Sequence, residues 1–162
     1  FGTGHHETTY QMLNLMHDME LKGADILDAG CGTGILAILA AIKGASKVDA
    51  YDIDEWAVEN TNENFSLNSI GNSIYKVWKG EVETIPQASV YDLILANINK
   101  NILLADIQYL QNHIKTDGFL MLSGFYEHDV QDILNECEKY SFELVNQSVR
   151  NQWAAILLKS NK

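Results

Sequence analysis

The run Ile26-Leu27-Asp28-Ala29-Gly30-Cys31-Gly32-Thr33-Gly34 constrains the fold more than any other stretch of the chain. An apolar segment of strand character meets an aspartate, then glycines at positions 30, 32 and 34, then an apolar helical run from Ile35. Glycine has no Cβ, so such a loop lets backbone come close to a ligand. The helix behind it aims unpaired N–H groups and the positive end of its dipole at the loop. A dinucleotide fingerprint, G-x-G-x-x-G, would set its third glycine at position 35, which is Ile35. That spacing fails here. The simplest alternative is a tight strand-to-helix turn with no ligand.

The rest of the chain alternates between helical and strand periodicity, which argues for a doubly wound parallel sheet. Helices are expected over 7–21, 33–43, from Asp54 as cap to Phe65 or Leu67, over 102–114 and over 127–140. Strands are expected over 25–29, 47–52, 73–78, 91–96 and 118–123. The end breaks the pattern, with strands over 142–149 and 153–159 joined through Arg150-Asn151-Gln152 as a hairpin. The fold class is therefore α/β, a Rossmann-like, mostly parallel seven-stranded sheet closed by an antiparallel C-terminal hairpin.

Composition narrows the partners. The 162 residues suit one domain, and a chain this long buries roughly two-thirds of its unfolded surface. Hydrophobic residues at 46% against 20% charged describe an ordered globule. Eleven basic against 22 acidic side chains leave a net charge of −11, which repels phosphate backbones and attracts a basic protein. No direct nucleic-acid partner and no membrane are expected, since neither a Lys/Arg cluster nor a bilayer-length apolar run is present. Cys31 and Cys137 form no disulfide framework, consistent with the cytoplasm. The chain opens at Phe1 and its first residues already carry a motif, so it reads as a catalytic-domain fragment, residues 1–162, with a domain missing upstream.

In an open α/β sheet, ligands sit beyond the strand carboxyl ends where strand order reverses. The spacing D-x-G-x-G-x-G over Asp28, Gly30, Gly32 and Gly34 resembles the first motif of S-adenosylmethionine-dependent methyltransferases. Asp52 follows Gly30 by 22 positions (52 − 30) at a strand end, where a carboxylate can accept from both ribose hydroxyls. Asp54 suits the capping role better. Gly30 and Gly32 would let backbone reach the methionine end of the cofactor, and Asp28 would bond either the loop or the cofactor's ammonium. Glu81 follows the third strand, near an adenine or simply in solvent. Asn97-Ile98-Asn99-Lys100 follows the fourth strand without the Asn-Pro-Pro-Tyr that stacks a flat base, so an amine acceptor fits better.

The opening Phe1-Gly2-Thr3-Gly4-His5-His6-Glu7-Thr8-Thr9, with Asn97-Ile98, resembles the ribosomal protein L11 methyltransferase family. That family reads Phe-Gly-Thr-Gly-Thr-His-Pro-Thr-Thr here, so His5 and Glu7 depart from it. Asp28 to Ile38, Asp52-Ile53-Asp54 and Leu122-Ser123-Gly124 follow it too, whereas Asn99-Lys100-Asn101 replaces its usual Leu-Ala-Gly. The resemblance implies S-adenosyl-L-methionine as cofactor, contacted by Thr9, Gly30, Asp52 and Asn97, with Asn97 also the candidate catalytic residue. It implies methylation of amino groups, lysine side chains or the N-terminus, of a basic large-subunit ribosomal protein. A small N-terminal recognition domain would precede Phe1, and the enzyme is expected to be a monomer.

Other chemistries lack their signatures. His5, His6 and Glu7 have no second ligand pair at useful spacing, so no metal is expected. Ser123 stands outside a G-x-S-x-G elbow, which removes the hydrolase reading. A nicotinamide dehydrogenase conflicts with Ile35 and the terminal hairpin. A methyltransferase acting on another protein or a small molecule, and a non-catalytic module that keeps the cofactor fold, remain as alternatives.

Overall fold

Seven strands hydrogen-bond into a single sheet in the order β3-β2-β1-β4-β5-β7-β6. The computed structural model describes residues 6–162. The strands are β1 (Asp25–Ala29), β2 (Lys47–Asp52), β3 (Tyr75–Lys79), β4 (Tyr91–Asn97), β5 (Ile114–Tyr126), β6 (Phe142–Arg150) and β7 (Trp153–Ser160). The helices are α1 (Glu7–His17), α2 (Ile35–Ile42), α3 (Glu55–Leu67), α4 (Lys100–Leu110) and α5 (Val130–Glu138). β1 to β5 run parallel, and β7 inserts antiparallel between β5 and β6. Strand order reverses between β2-β1 and β4, so the switch point lies beside β1.

Two apolar layers cover the sheet. Met12 and Met16 of α1, Leu36, Ala37 and Ala40 of α2 and Phe65 of α3 pack with Ile26, Val48, Leu93 and Met121 on one face. Leu103, Ile107 and Leu110 of α4 and Ile133 and Cys137 of α5 pack with Leu27, Ile94, Leu120 and Ile156 on the other. The central strands are mostly apolar because both faces are covered, with Asp28 and Asp49 as buried exceptions. Each of the buried leucine, isoleucine, valine, methionine and phenylalanine side chains contributes roughly 1.5–3 kcal/mol.

Helix boundaries follow local chemistry. Asp54 caps α3 by accepting from the Trp56 N–H at 2.9 Å, and Asn99 caps α4 through the Ile102 N–H at 3.1 Å. That second cap starts α4 at Lys100 rather than 102. α1 ends at His17 rather than at residue 21, yet Leu21 stays buried, which is why its periodicity ran on. α2 begins at Ile35 because Gly34, at φ 81°, ends the loop in a left-handed conformation. β5 is 13 residues long, far longer than 118–123, since a bulge between its pairings to Tyr91 and Leu93 absorbs the polar stretch around Asp117. The hairpin turn is only Asn151-Gln152, at φ 48° and 69°, as a two-residue turn between twisted strands requires. Among the described residues no helix is long and apolar enough to cross a membrane.

Candidate functional site

Strand register places the candidate residues in one row. Ala29 pairs with both Tyr51 and Ala96, Asp52 with Lys79, and Asn97 with Ser123, so Gly30, Asp52, Gly80, Asn97 and Gly124 mark the same edge of the sheet.

The glycine loop is tied to β2 by its own backbone. The N–H groups of Gly30 and Cys31 donate to the Tyr51 carbonyl at 2.9 and 3.0 Å. Gly30, Gly32 and Gly34 all have positive φ, at 73°, 57° and 81°. Two of them are also sterically required. A Cβ on Gly30 would lie 2.5 Å from Ile98 Cγ2, and one on Gly34 would lie 2.6 Å from Thr61 Cγ2. At Gly32 a Cβ would meet nothing within 4 Å, so open space stands over the middle of the loop.

Asp52 fixes that middle. Its Oδ2 accepts from the Gly32 N–H and its Oδ1 from the Asp54 N–H, both at 2.9 Å. A carboxylate has about four acceptor positions, so two remain for other donors. Those two amides also hold the group in a single orientation.

Asp28 lies beneath the loop, only 1% exposed, and its Oδ2 accepts from the third amide of α2, Ala37 N–H, at 3.2 Å. Burial pushes its carboxyl up to about 7, with Asp52 adding to the rise and the Ala37 bond opposing it. Burial likewise pushes the Cys31 thiol up to about 12, and its sulfur sits 3.4 Å from Thr61 Oγ1. Such a thiol is not a nucleophile at neutral pH.

Thr9, fully buried on α1, reaches the end of β4. Its Oγ1 accepts from Asn97 Nδ2 at 3.2 Å, while Asn97 Oδ1 is buried with no partner. An orphaned buried acceptor costs roughly 1–3 kcal/mol, a cost commonly tolerated where a ligand supplies the donor.

Thr9, Gly30, Gly32, Asp52 and Asn97 thus converge, with Asp28 below them. Glu81 stands off on the exposed rim, opening a short turn in which Trp78 Nε1 donates to Thr84 Oγ1 at 2.8 Å. Thr61 escaped the sequence reading. Its hydroxyl donates to the Gly32 carbonyl at 2.9 Å, and Asn64 Nδ2 does the same for Thr33 at 2.9 Å. Both residues look like ordinary polar positions of α3, so no local signal marks them. Position 5 and the opening Phe1 to Gly4 lie outside the described residues. His6 caps α1, accepting from the Thr8 N–H at 3.3 Å, and Trp153 stacks on Tyr126 with ring centroids 4.1 Å apart. Among the described residues no group of three or more His, Cys, Asp or Glu is placed to hold a metal ion. A groove of 740 Å³ lies at the opposite end of the strands, where Asp92 is already spent on Lys115 and the Asp25 N–H, Glu20 on the Lys22 N–H and Asp117 on Lys159.

Comparison with known proteins agrees with this architecture. The family described as Ribosomal protein L11 methyltransferase (PrmA) matches residues 1–161. The chain is 48% identical over 157 residues to the ribosomal protein L11 methyltransferase of Porphyromonas gingivalis, covering 96% of this chain and 53% of that protein. It is 42% identical over 156 residues to that of Phocaeicola vulgatus, covering 96% and 55%. The chain therefore spans about half the length of the curated relatives it matches. A solved ribosomal protein L11 methylase from Lactobacillus delbrueckii superposes with TM-score 0.90 at 29% identity, over 98% of this chain and 81% of that one. A methyltransferase of Pyrococcus furiosus, at 16% identity and TM-score 0.78, shares the fold. By sequence and by structure, the chain belongs to the ribosomal protein L11 methyltransferase family.

Proposed function

We propose that the chain is the catalytic domain of an S-adenosyl-L-methionine-dependent methyltransferase whose acceptors are amino groups, lysine side chains or the N-terminus, of ribosomal protein L11. One observation carries the reading. Asn97 presents an unsatisfied buried oxygen at the sheet edge where the open side of the glycine loop and the Asp52 carboxylate meet.

The residues present fit the cofactor. Asp52 has two acceptor positions left for the two ribose hydroxyls, and the space over Gly32 admits a close-lying chain. Gly30 and Gly32 would line the amino-acid end with backbone. Asp28 would hold the start of α2, and through it the loop, while favouring a nearby ammonium. Thr9 would fix the Asn97 amide so that its oxygen is turned to the ligand side.

Bound S-adenosylmethionine would supply an electrophilic sulfonium methyl to an uncharged amine in line, its S–CH3 pair leaving on the thioether and the amine proton passing to water. The protein's work is alignment, which can lower a barrier by several kcal/mol. A lysine amine has a pKa of about 10.4, so the site must also favour its neutral form. Asn97 Oδ1 suits the alignment, because it accepts an amine N–H and leaves the lone pair for the methyl group. The net charge of −11 supports a basic protein acceptor, with no nucleic acid or membrane in direct contact. A monomer in the cytoplasm, needing an upstream recognition domain for efficient work on the ribosomal protein, completes the reading.

Calorimetry tests the first half: S-adenosylmethionine should bind and NAD should not. NAD binding without the sulfonium compound would overturn it. Mass spectrometry after incubation with labelled cofactor and ribosomal protein L11 tests the second half. Labelling is expected to be slow from residues 1–162 alone, and full activity would refute the need for a further domain.

A further inference from the structure

Ile98 is an apolar side chain beside Asn97 at the site edge, and both the glycine loop and β5 meet it. Its N–H donates to the Ser123 carbonyl at 3.1 Å, and the Ser123 hydroxyl is anchored on the Ala154 carbonyl at 2.7 Å. Gly124 has φ 101°, and any Cβ there would collide with the Ile98 backbone. The main chain at 98 is therefore seated against β5 with no room to slide. Its side chain goes the other way, and a Cβ on Gly30 would lie 2.5 Å from Ile98 Cγ2. A β-branched side chain is stiff at χ1, so Cγ2 is a fixed spacer rather than a flexible filler.

These contacts have a direction. Gly30 belongs to the loop that would carry the methyl donor, and Asn97, bonded directly to Ile98, carries the oxygen that would hold the acceptor. We infer that Ile98 is a positioning residue for methyl transfer: wedged between Gly30 and Gly124, its Cγ2 methyl sets the separation between the donor loop and Asn97. This rests on the methyltransferase reading above. An interaction set by one methyl group matters here because a shift of about 1 Å between reacting groups can cost on the order of 10²-fold in rate. The role is distinct from core filling. Ile98 is only half-buried, at the margin of the cluster that contains Leu103 and Phe125.

Three variants separate a spacer from a filler. Ile98→Val keeps both γ carbons and should retain nearly the full single-turnover rate of methyl transfer to ribosomal protein L11. Ile98→Leu has the same carbon count without the branch, and Ile98→Ala has neither. Both should lose roughly 10- to 100-fold in rate while S-adenosylmethionine affinity, read by calorimetry, changes less than about threefold. Rescue by valine and not by leucine is the signature that a volume-filling role would not give. A rate that leucine preserves, or a loss of cofactor affinity equal to the loss of rate, overturns the inference.

A double-mutant cycle needs no protein substrate. Gly30→Ala should weaken S-adenosylmethionine binding at least about fivefold more with Ile98 in place than with Ile98→Ala, because the clash is with Cγ2. Additive effects overturn the contact. Should Ile98→Ala fail to fold, Ile98→Leu, which lacks the Cβ branch, takes its place in the same cycle. An unaltered chain that binds no S-adenosylmethionine refutes the functional reading instead, and is told apart from these outcomes by that first titration.

Discussion

Asn97 Nδ2 donates to Thr9 Oγ1 across 3.2 Å, joining the last residue of β4 to the first turn of α1 over 88 positions of sequence. With the amide nitrogen committed to Thr9, the Asn97 oxygen is turned to the opposite side. α1 is thereby part of the site. Its Met12 and Met16 hold it on the sheet, and Gln11 Nε2 ties it to the Trp153 carbonyl at 3.0 Å.

Thr9→Val removes the acceptor at almost constant volume and leaves Asn97 Nδ2 buried without a partner. The expected cost is about 1–3 kcal/mol of stability together with a fall in methyl transfer. Thr9→Ser keeps the oxygen and should fall between valine and the unaltered protein. Thermal unfolding and single-turnover rates measure both effects, and a Thr9→Val protein with unaltered rate would detach the threonine from the site.

Asp52 serves the loop and the ligand with one carboxylate. In Asp52→Ala the Gly32 and Asp54 amides lose their acceptor at the same time as the ribose would. Cofactor affinity is expected to drop by roughly 1–3 kcal/mol, the scale of lost charge-assisted hydrogen bonds. Calorimetry reads this directly. Unchanged affinity would move the sugar elsewhere.

Much of this site was legible from local patterns, for reasons that also mark where legibility stops. The Asp28 to Gly34 loop and Asp52 announce themselves because left-handed turns and strand-end carboxylates restrict residue type over a few neighbouring positions. The hairpin was equally plain, although the turn shrank to Asn151-Gln152. Boundaries such as the start of β5 were not, because the bulge near Asp117 admits polar residues where a regular strand would exclude them. Thr61 was invisible as a functional position, and Ile98 showed only as the partner of Asn97 in a motif, with no role of its own. Each acts through a contact between segments distant in sequence, Thr61 on Gly32 and Ile98 on Gly30 and Gly124, and no short window records such a meeting.

The glycines at 32 and 34 should respond differently to the same substitution. Gly32→Ala incurs only the left-handed backbone cost, roughly 1–2 kcal/mol, because nothing lies within 4 Å of the new Cβ. Its methyl would occupy the space the cofactor needs, so binding should fall at least about tenfold in a folded protein. Gly34→Ala meets Thr61 as well and should cost roughly 2–4 kcal/mol of stability. Thr61→Ser removes Cγ2, keeps the hydroxyl bond to Gly32 and should restore part of that loss. Equal stability of the two alanine variants would contradict the crowding at Gly34.

Asp28 gives the protein a pH dependence of known sign. Its carboxyl stands at about 7 in the folded chain because burial disfavours the charge, against about 3.9 when unfolded. Between those values the folded state holds a proton that the unfolded state lacks. Stability therefore falls as pH rises from about 4 to 7, with a slope approaching about 1.4 kcal/mol per pH unit, and levels off above. Asp106, pushed up to about 6 by burial and then by Glu83 and Glu81, acts in the same direction but is finished sooner. Asp106 contributes equally to the unaltered protein and to Asp28→Asn, so the difference between them isolates Asp28. Asp28→Asn retains an oxygen for the Ala37 N–H and cannot ionise, so its stability should fall less steeply from pH 6 to 7 and should exceed that of the unaltered protein at pH 8. Its affinity for S-adenosylmethionine should fall, because the charge that favours the ammonium is gone. Urea melts at half-unit intervals supply the comparison. Parallel curves for the two proteins from pH 6 to 7 would show that Asp28 is ionised throughout and that its environment is more polar than its burial implies.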